Sequence, residues 1–79
     1  MLKLNDYFDF DDLEKWGFKR VYIVDTWAWQ LEYREGTFYK ETITIFEKNR
    51  EVQCLPAIYL LGTLYDMIKT NWIVKVGDE

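Results

Sequence analysis

The stretch 21–55 constrains the fold more than any other feature, because it is rich in β-branched and aromatic side chains and is broken only by short turn signals. Glu35-Gly36 and Lys48-Asn49 each have the composition of a tight hairpin turn. Pro56 cannot donate a hydrogen bond to a β-ladder, so it ends the last strand. The sequence therefore predicts an antiparallel β-meander of three or four strands, with four if the chain bends at Asp25-Thr26. The predicted strands are 21–24, 27–34, 37–47 and 50–55.

Local signals predict a short N-terminal helix from Phe10 to Trp16. Asp9 suits the N-cap, because its carboxylate can accept hydrogen bonds from the amides of the first turn. Gly17 suits the left-handed position that ends a helix, and Phe18 can then fold back against Leu13. The start and stop signals agree, and the alternative is an earlier start that is capped by Asn5.

A C-terminal helix is predicted to begin after Thr63, which suits its N-cap. Leu64, Met67 and Ile68 have the spacing of one apolar helix face. The stretch 72–76 follows as a short final strand or an extended tail. The order helix, antiparallel meander, helix and short strand predicts a single α+β domain that covers all 79 residues.

The predicted turns imply a strand register, and the register divides the side chains between the two faces of the sheet. A two-residue loop at 35–36 pairs Tyr33 with Phe38, and one at 48–49 pairs Ile45 with Val52. A one-residue slip or a bulge would exchange or scramble the faces. The aliphatic face then carries Ala28, Ile43, Ile45, Val52 and Cys54. The aromatic face carries Trp27, Trp29, Leu31, Tyr33, Phe38 and Phe46.

Four of these aromatic residues, Trp27, Trp29, Tyr33 and Phe38, form the candidate interaction surface. Two short helices in a chain of 79 residues can cover one sheet face well or both faces poorly. Aromatic side chains left uncovered would suit an interface, because each buries a large area with few rotamers. The alternative is that a helix and the tail around Trp72 cover the aromatic face.

The net charge of −4 lies entirely in the first 14 residues, which hold five acids and one base of the chain's 14 acids and 10 bases. Nine acids and nine bases remain in the rest of the chain. Asp6, Asp9, Asp11 and Asp12 therefore form a candidate acidic patch, which could steer a basic partner or imitate nucleic-acid phosphates. No run of Lys or Arg is present, so binding to nucleic acid is disfavoured.

The residue types needed for common catalytic and metal sites are missing from the sequence. The chain has no histidine and only one cysteine, Cys54, which excludes His-based triads, His–metal sites and zinc knuckles. No glycine-rich loop could hold a phosphate. We therefore expect no enzyme activity, no cofactor, no metal and no small-molecule substrate. The N-terminus has no signal-peptide pattern and the longest apolar run, 57–61, is far too short to span a membrane, so we expect a cytoplasmic protein.

Three pieces of the sequence, LEKWGF at 13–18, LYDMIK at 64–69 and WIVKV at 72–76, resemble small uncharacterised proteins of phages and prophages in Gram-positive bacteria. The resemblance covers the two ends of the chain better than its middle. It implies a bacterial cytoplasm and a binding protein directed at a host component, and it transfers no functional residue.

No motif identifies a function directly, and four hypotheses follow from these features. The leading hypothesis is a non-catalytic protein-interaction module, such as a phage-encoded modulator of a host protein. The alternatives are a homodimeric structural protein that buries the aromatic face, and an acidic nucleic-acid mimic that inhibits its target. The fourth is a single-strand nucleic-acid binder, with Lys40 and Arg34 near the phosphates and with bases stacked on Trp27, Trp29, Tyr33 and Phe38.

Overall fold

Two antiparallel sheets and one α-helix make up the fold in the computed structural model, which describes residues 1–55 and 58–76. Strands β2 to β5 form a four-stranded meander in the order β2-β3-β4-β5, and β1 pairs with β6 in a second sheet. The predicted α+β class and the meander are therefore confirmed. The elements in chain order are β1 (Leu2–Leu4), a 3₁₀ helix (Phe10–Trp16), β2 (Lys19–Ile23), β3 (Thr26–Glu35), β4 (Tyr39–Phe46), β5 (Val52–Leu55), α1 (Leu61–Lys69) and β6 (Ile73–Lys75).

The N-terminal helix has the predicted bounds but is a 3₁₀ helix rather than an α-helix. It ends at Gly17, whose φ of 96° is left-handed as predicted. The amide of Phe18 then donates to the carbonyl of Leu13 at 3.2 Å, and both side chains are buried. The 3₁₀ form is frequent in short connecting elements, and seven residues is long for it.

The C-terminal helix α1 begins earlier than predicted. Its N-cap is Leu60, so the prediction that Thr63 caps the helix is wrong. Inside the helix, Leu64 and Met67 are buried as predicted, while Ile68 is partly exposed. Pro56, which was predicted to end the last strand of the meander, lies outside the described residues.

The second sheet joins the two ends of the chain. The predicted short final strand is confirmed as β6, and its partner β1 was not predicted. Leu4 pairs with Ile73, and both side chains are buried. The amide of Leu4 also donates to the carbonyl of Arg50 at 2.8 Å. The second sheet therefore lies against the start of β5, where Lys3 and Glu51 form a bridge.

The first turn of the meander lies at Val24 and Asp25, whose positive φ values of 47° and 63° suit a tight hairpin turn. Ile23 pairs with Thr26 across this turn. The predicted bend therefore separates two strands, and the meander has four strands rather than three.

The register between β3 and β4 differs from the prediction, and it changes which side chains of the two strands share a face of the sheet. Glu35 pairs with Tyr39, so the loop holds residues 36–38 rather than two residues. Tyr33 consequently pairs with Glu41 instead of Phe38, a shift of three positions. An odd shift moves every side chain of one strand to the other face. The predicted separation of an aliphatic face from an aromatic face is therefore wrong.

The register between β4 and β5 is confirmed, with Ile45 opposite Val52 and Ile43 opposite Cys54. Since Trp29 is opposite Ile45, aromatic and aliphatic residues share one face of the sheet, and this face carries the core. The small sheet, the 3₁₀ helix and α1 supply the rest of the core. The buried core comprises Leu4, Leu13, Phe18, Trp29, Ile43, Ile45, Val52, Leu60, Leu64, Met67 and Ile73.

Most side chains on the opposite face of the sheet are polar, and several of them form hydrogen bonds or ion pairs with one another. The side-chain amide of Gln30 donates to the hydroxyl of Thr44 at 3.0 Å. The carboxylate of Glu32 lies 3.3 Å from the guanidinium of Arg34 and 3.7 Å from the ammonium of Lys40. This face also carries a smaller apolar row, in which Val21, Ala28 and Phe46 lie opposite one another.

Candidate interaction surface

The four aromatic residues predicted to form one interaction surface lie in different places. Trp29 is buried, with 5% of its surface exposed. Phe38 is fully exposed in the loop between β3 and β4. Trp27 is 43% exposed near the other end of β3. Tyr33 is half-buried and stacks on Tyr59 with ring centroids 4.5 Å apart. The predicted surface is therefore not assembled, and Trp29 belongs to the core.

Trp29 is held in the core by a polar contact at its edge. Its indole nitrogen donates to the carboxylate of Glu47 at 2.7 Å. The guanidinium of Arg20 makes two further hydrogen bonds to the same carboxylate, at 2.8 and 3.1 Å. The hydrogen bond from Arg20 is the main cause that lowers the pKa of Glu47, and the indole N–H acts in the same direction. Glu47 thereby connects β2, β3 and the end of β4.

Trp27 belongs to a small exposed cluster beside the turn between β2 and β3. Tyr22 lies opposite Trp27, and the two rings make an edge-to-face contact with centroids 5.0 Å apart. The guanidinium carbon of Arg20 lies 4.0 Å from the centroid of the Trp27 ring. The cluster is local to this hairpin and does not extend to Phe38.

The four residues of the predicted acidic patch have different surroundings. Asp6 and Asp12 contact other residues of the chain, and Asp9 and Asp11 line a cleft. Asp6 lies 3.3 Å from the guanidinium of Arg50. The carboxylate of Asp12 accepts a hydrogen bond from the amide of Asp9 at 3.1 Å, which supports the start of the 3₁₀ helix. Asp9 and Asp11 line a cleft between this helix and the sheet. The four acids therefore do not present one uniform charged surface.

This cleft has a volume of about 420 Å³ and combines both signs of charge. Asp9 and Asp11 face the ion pair of Arg20 and Glu47 across it. The pKa of Arg20 is raised, chiefly by its hydrogen bond to Glu47 and slightly by Asp11. Within the described residues, no group of three acidic or Cys side chains is placed to hold a metal ion. The residues that line the cleft are Asp9, Phe10, Asp11, Arg20, Trp29 and Glu47.

A buried glutamate positions the start of α1. Glu41, on β4, is 1% exposed, and its carboxylate accepts hydrogen bonds from the backbone amides of Ile58, Tyr59 and Leu60, each at 2.9 Å. The hydroxyl of Tyr39 donates to the same carboxylate. Three successive backbone amides that point at one carboxylate form an anion-binding nest. The strand residue thereby satisfies the backbone just ahead of the helix and holds the helix against the sheet.

The pKa values of this cluster follow from its hydrogen bonds. Burial is the largest single influence on Glu41 and acts to raise its pKa. The hydrogen bonds from Tyr39 and from the three amides together outweigh burial and lower the pKa of Glu41 to about 2. The hydrogen bond to Glu41, followed by burial, raises the pKa of Tyr39 to about 12. Glu41 is therefore a carboxylate, and Tyr39 a neutral donor, at neutral pH.

An exposed row of apolar side chains follows the outer side of α1, and we call it the α1 stripe. It consists of Leu61, Tyr65 and Ile68, at the spacing i, i+4 and i+7 that aligns side chains along one helix face. These residues are 54%, 61% and 39% exposed. Ile58, in the segment held by Glu41, is also exposed. The helix is thus apolar both toward the core and toward solvent.

The sequence contained the signal for the α1 stripe, since the spacing of Leu61, Tyr65 and Ile68 is visible in it. The prediction assigned Ile68 to the core because it shares the apolar spacing of Leu64. No sequence signal marks Glu41, whose amide partners lie 17 to 19 residues away.

Comparison of the chain with protein-family models, curated proteins and solved structures found no match. Among the described residues, no helix is long and apolar enough to cross a membrane.

Proposed function

We propose that this protein is a non-catalytic protein-interaction module and that the α1 stripe is its docking surface. The observation that carries the proposal is the exposure of Leu61, Tyr65 and Ile68 along one side of a single helix. A contiguous apolar row at helical spacing is the pattern by which amphipathic helices dock into apolar grooves. Tyr65 supplies a large aromatic side chain of the type that anchors interfaces.

The way α1 is held supports this role. The inner residues Leu64 and Met67 pack in the core, and the carboxylate of Glu41 fixes the segment ahead of the helix. A docking helix that is already ordered loses little conformational entropy on binding. The α1 stripe is thus presented on a preorganised element rather than on a mobile loop.

The other hypotheses receive less support from the side-chain positions. A homodimer that buries an aromatic sheet face lacks its surface, because Trp29 lies in the core. Single-strand stacking lacks its platform for the same reason, and Arg34 is paired with Glu32. An acidic nucleic-acid mimic would need a regular row of carboxylates, whereas Asp9 and Asp11 line a cleft that also holds Arg20. The partner we propose is therefore a protein. The resemblance of the chain ends to phage proteins supports a host protein as that partner.

Site-specific photo-crosslinking tests the proposal. A benzophenone side chain would replace Tyr65 on the α1 stripe in one sample and Phe38, which is fully exposed elsewhere, in a matched control. In a lysate of a Gram-positive bacterium, we expect discrete adducts from position 65 that are absent from position 38. Excess unlabelled protein should suppress these adducts, and the variant Leu61→Glu should not. Identical adducts from both positions would contradict the proposal, as would no adduct from position 65.

A further inference from the structure

One edge of the four-stranded sheet is open. Strand β2 (Lys19–Ile23) stands at the end of the sheet order and pairs with β3 on one side only. Among the residues the structure describes, no strand pairs with its other side. The opposite edge of the sheet is partly covered, because the bridge between Lys3 and Glu51 places β1 beside the start of β5. The fold therefore covers one sheet edge in part and leaves the other available.

The hairpin geometry shows which backbone groups β2 presents at this edge. The turn holds two residues, so Ile23 and Thr26 form the first hydrogen-bonded pair of the ladder. Hydrogen-bonded and non-hydrogen-bonded pairs alternate along an antiparallel ladder. Arg20 and Tyr22 therefore direct their N–H and C=O groups away from β3, toward the open edge.

Two features that usually block edge pairing, proline and a β-bulge, are missing from β2, whereas its first two residues, Lys19 and Arg20, are charged. It contains no proline, and its register with β3 runs without a bulge from Lys19 to Ile23. Its last three residues, Val21, Tyr22 and Ile23, are apolar, and Tyr22 is exposed. A regular unpaired edge that ends in apolar residues is a template for another strand.

We propose that β2 pairs antiparallel with β2 of a second copy of this chain, so that two four-stranded sheets join into one continuous sheet. The two-fold axis passes through Val21, and Arg20 lies opposite Tyr22 of the partner subunit. This register uses the outward N–H and C=O groups of both Arg20 and Tyr22, in each copy. A register centred on Arg20 would place two guanidinium groups together, and one centred on Tyr22 would run Arg20 into the partner's turn.

The charges on β2 favour a second copy over an unrelated strand. The strand begins with Lys19 and Arg20, and the turn that follows it contains Asp25. Antiparallel two-fold pairing places Lys19 opposite Ile23 of the partner subunit, diagonal to the partner's Asp25. Diagonal neighbours lie about 7–8 Å apart and are within reach of a long side chain. Because the pairing is isologous, the Lys–Asp contact forms twice.

Disulfide trapping tests the pairing and its register. In a Cys54→Ser background, which removes the one native thiol, Val21→Cys would place two cysteines on the two-fold axis. Cα atoms of a non-hydrogen-bonded antiparallel pair are about 4.5 Å apart, within the range that a disulfide spans. The matched control is Ile23→Cys, whose two copies would be on the order of 13 Å apart in this register. We expect mild oxidation to give covalent dimer from Val21→Cys at a rate at least about tenfold above that from Ile23→Cys.

Sedimentation equilibrium of the unmodified chain gives the independent measurement. We expect a monomer–dimer equilibrium, and we expect Tyr22→Pro to raise its dissociation constant by about tenfold or more, because proline removes an outward N–H from each copy. We expect the variant to stay folded, because the N–H of Tyr22 makes no hydrogen bond to β3, and circular dichroism checks this. Leu61→Glu on the α1 stripe should leave the dimer unchanged.

Several outcomes would overturn the inference. A monomer at millimolar concentration would do so, as would equal trapping rates for Val21→Cys and Ile23→Cys. A dimer lost in Leu61→Glu but kept in Tyr22→Pro would assign self-association to the α1 stripe instead. None of these outcomes decides whether the α1 stripe docks a host protein, because the crosslinks from position 65 are measured separately.

Discussion

The carboxylate of Glu41 on β4 accepts a hydrogen bond of 2.9 Å from the amide of Tyr59, which lies 18 residues later in the chain. This contact joins the middle of the sheet to the segment that leads into α1. It makes the position of the α1 stripe depend on one buried charge. The charge is stable there because four donors surround it, three backbone amides and the hydroxyl of Tyr39.

Replacing this carboxylate should destabilise the fold and loosen α1. In Glu41→Gln, the side-chain NH₂ group must face backbone amides that are themselves donors, so part of the nest loses its acceptor. We expect the midpoint of thermal unfolding to fall by on the order of 10 °C. Tyr39→Phe removes one donor and keeps the carboxylate, so its effect should be smaller. Thermal unfolding followed by circular dichroism measures both, and an unchanged midpoint in Glu41→Gln would rule out the role assigned to this residue.

Stability should fall in acid because of the same residue. The pKa of Glu41 is lowered from 4.5 in the unfolded chain to about 2 in the folded protein. A lowered pKa stabilises the folded state above the unfolded value, and this contribution is lost as the pH falls through the folded value. We therefore expect the urea midpoint to decrease between about pH 4.5 and about pH 2. The lowered pKa of Glu47 acts with the same sign. Glu41→Gln should show a shallower acid dependence, and curves parallel to the wild type would contradict this account.

The two tryptophans of β3 should differ in their contribution to stability. Trp29→Phe removes a buried hydrogen bond to Glu47 and part of a core ring, so we expect a loss of about 1–3 kcal/mol in the free energy of unfolding. Trp27→Phe keeps a ring at a partly exposed site and should cost less than about 1 kcal/mol. Urea denaturation of the two variants makes the comparison. Equal losses would mean that Trp29 is not the core residue of the pair.

Gly17 and Gly62 should respond in opposite directions to alanine. At Gly17, φ is 96° and an added Cβ would approach Leu31 Cδ1 to 3.2 Å, so Gly17→Ala should destabilise by about 1–2 kcal/mol. At Gly62, inside α1, an added Cβ meets nothing within 4 Å, so Gly62→Ala should stabilise by about 0.5–1 kcal/mol. Denaturation midpoints of the two variants test both signs. A neutral Gly17→Ala would show that the 3₁₀ helix ends in another way.

Features that depend on neighbouring residues were predictable from the sequence. The bounds of the 3₁₀ helix and the left-handed Gly17 follow from cap and stop signals within a few residues. The pairing of Ile45 with Val52 was predicted correctly, although the loop between the strands holds residues 47–50 rather than the predicted 48–49. The α+β class follows from the order of these local patterns. Each of these features needs only the energetics of a short segment, which its own residues supply.

The composition of the candidate surface was not predictable, because it depends on the length of one loop. Three loop residues instead of two moved Trp29 from the predicted surface into the core. Turn composition favours several loop lengths that differ little in energy, and burial of the large ring decides among them only when the whole sheet is packed.

By itself, the sequence determined a small acidic α+β chain with a meander of three or four strands and without the residues of a histidine-based catalytic or metal site. Only the tertiary structure decided which apolar residues face solvent, and it left the α1 stripe and the edge of β2 exposed. It also decided that Glu41 holds the start of α1. The physical reason is range: caps and turns act within a few residues, whereas burial and the pairing of a buried charge are settled between segments far apart in the chain.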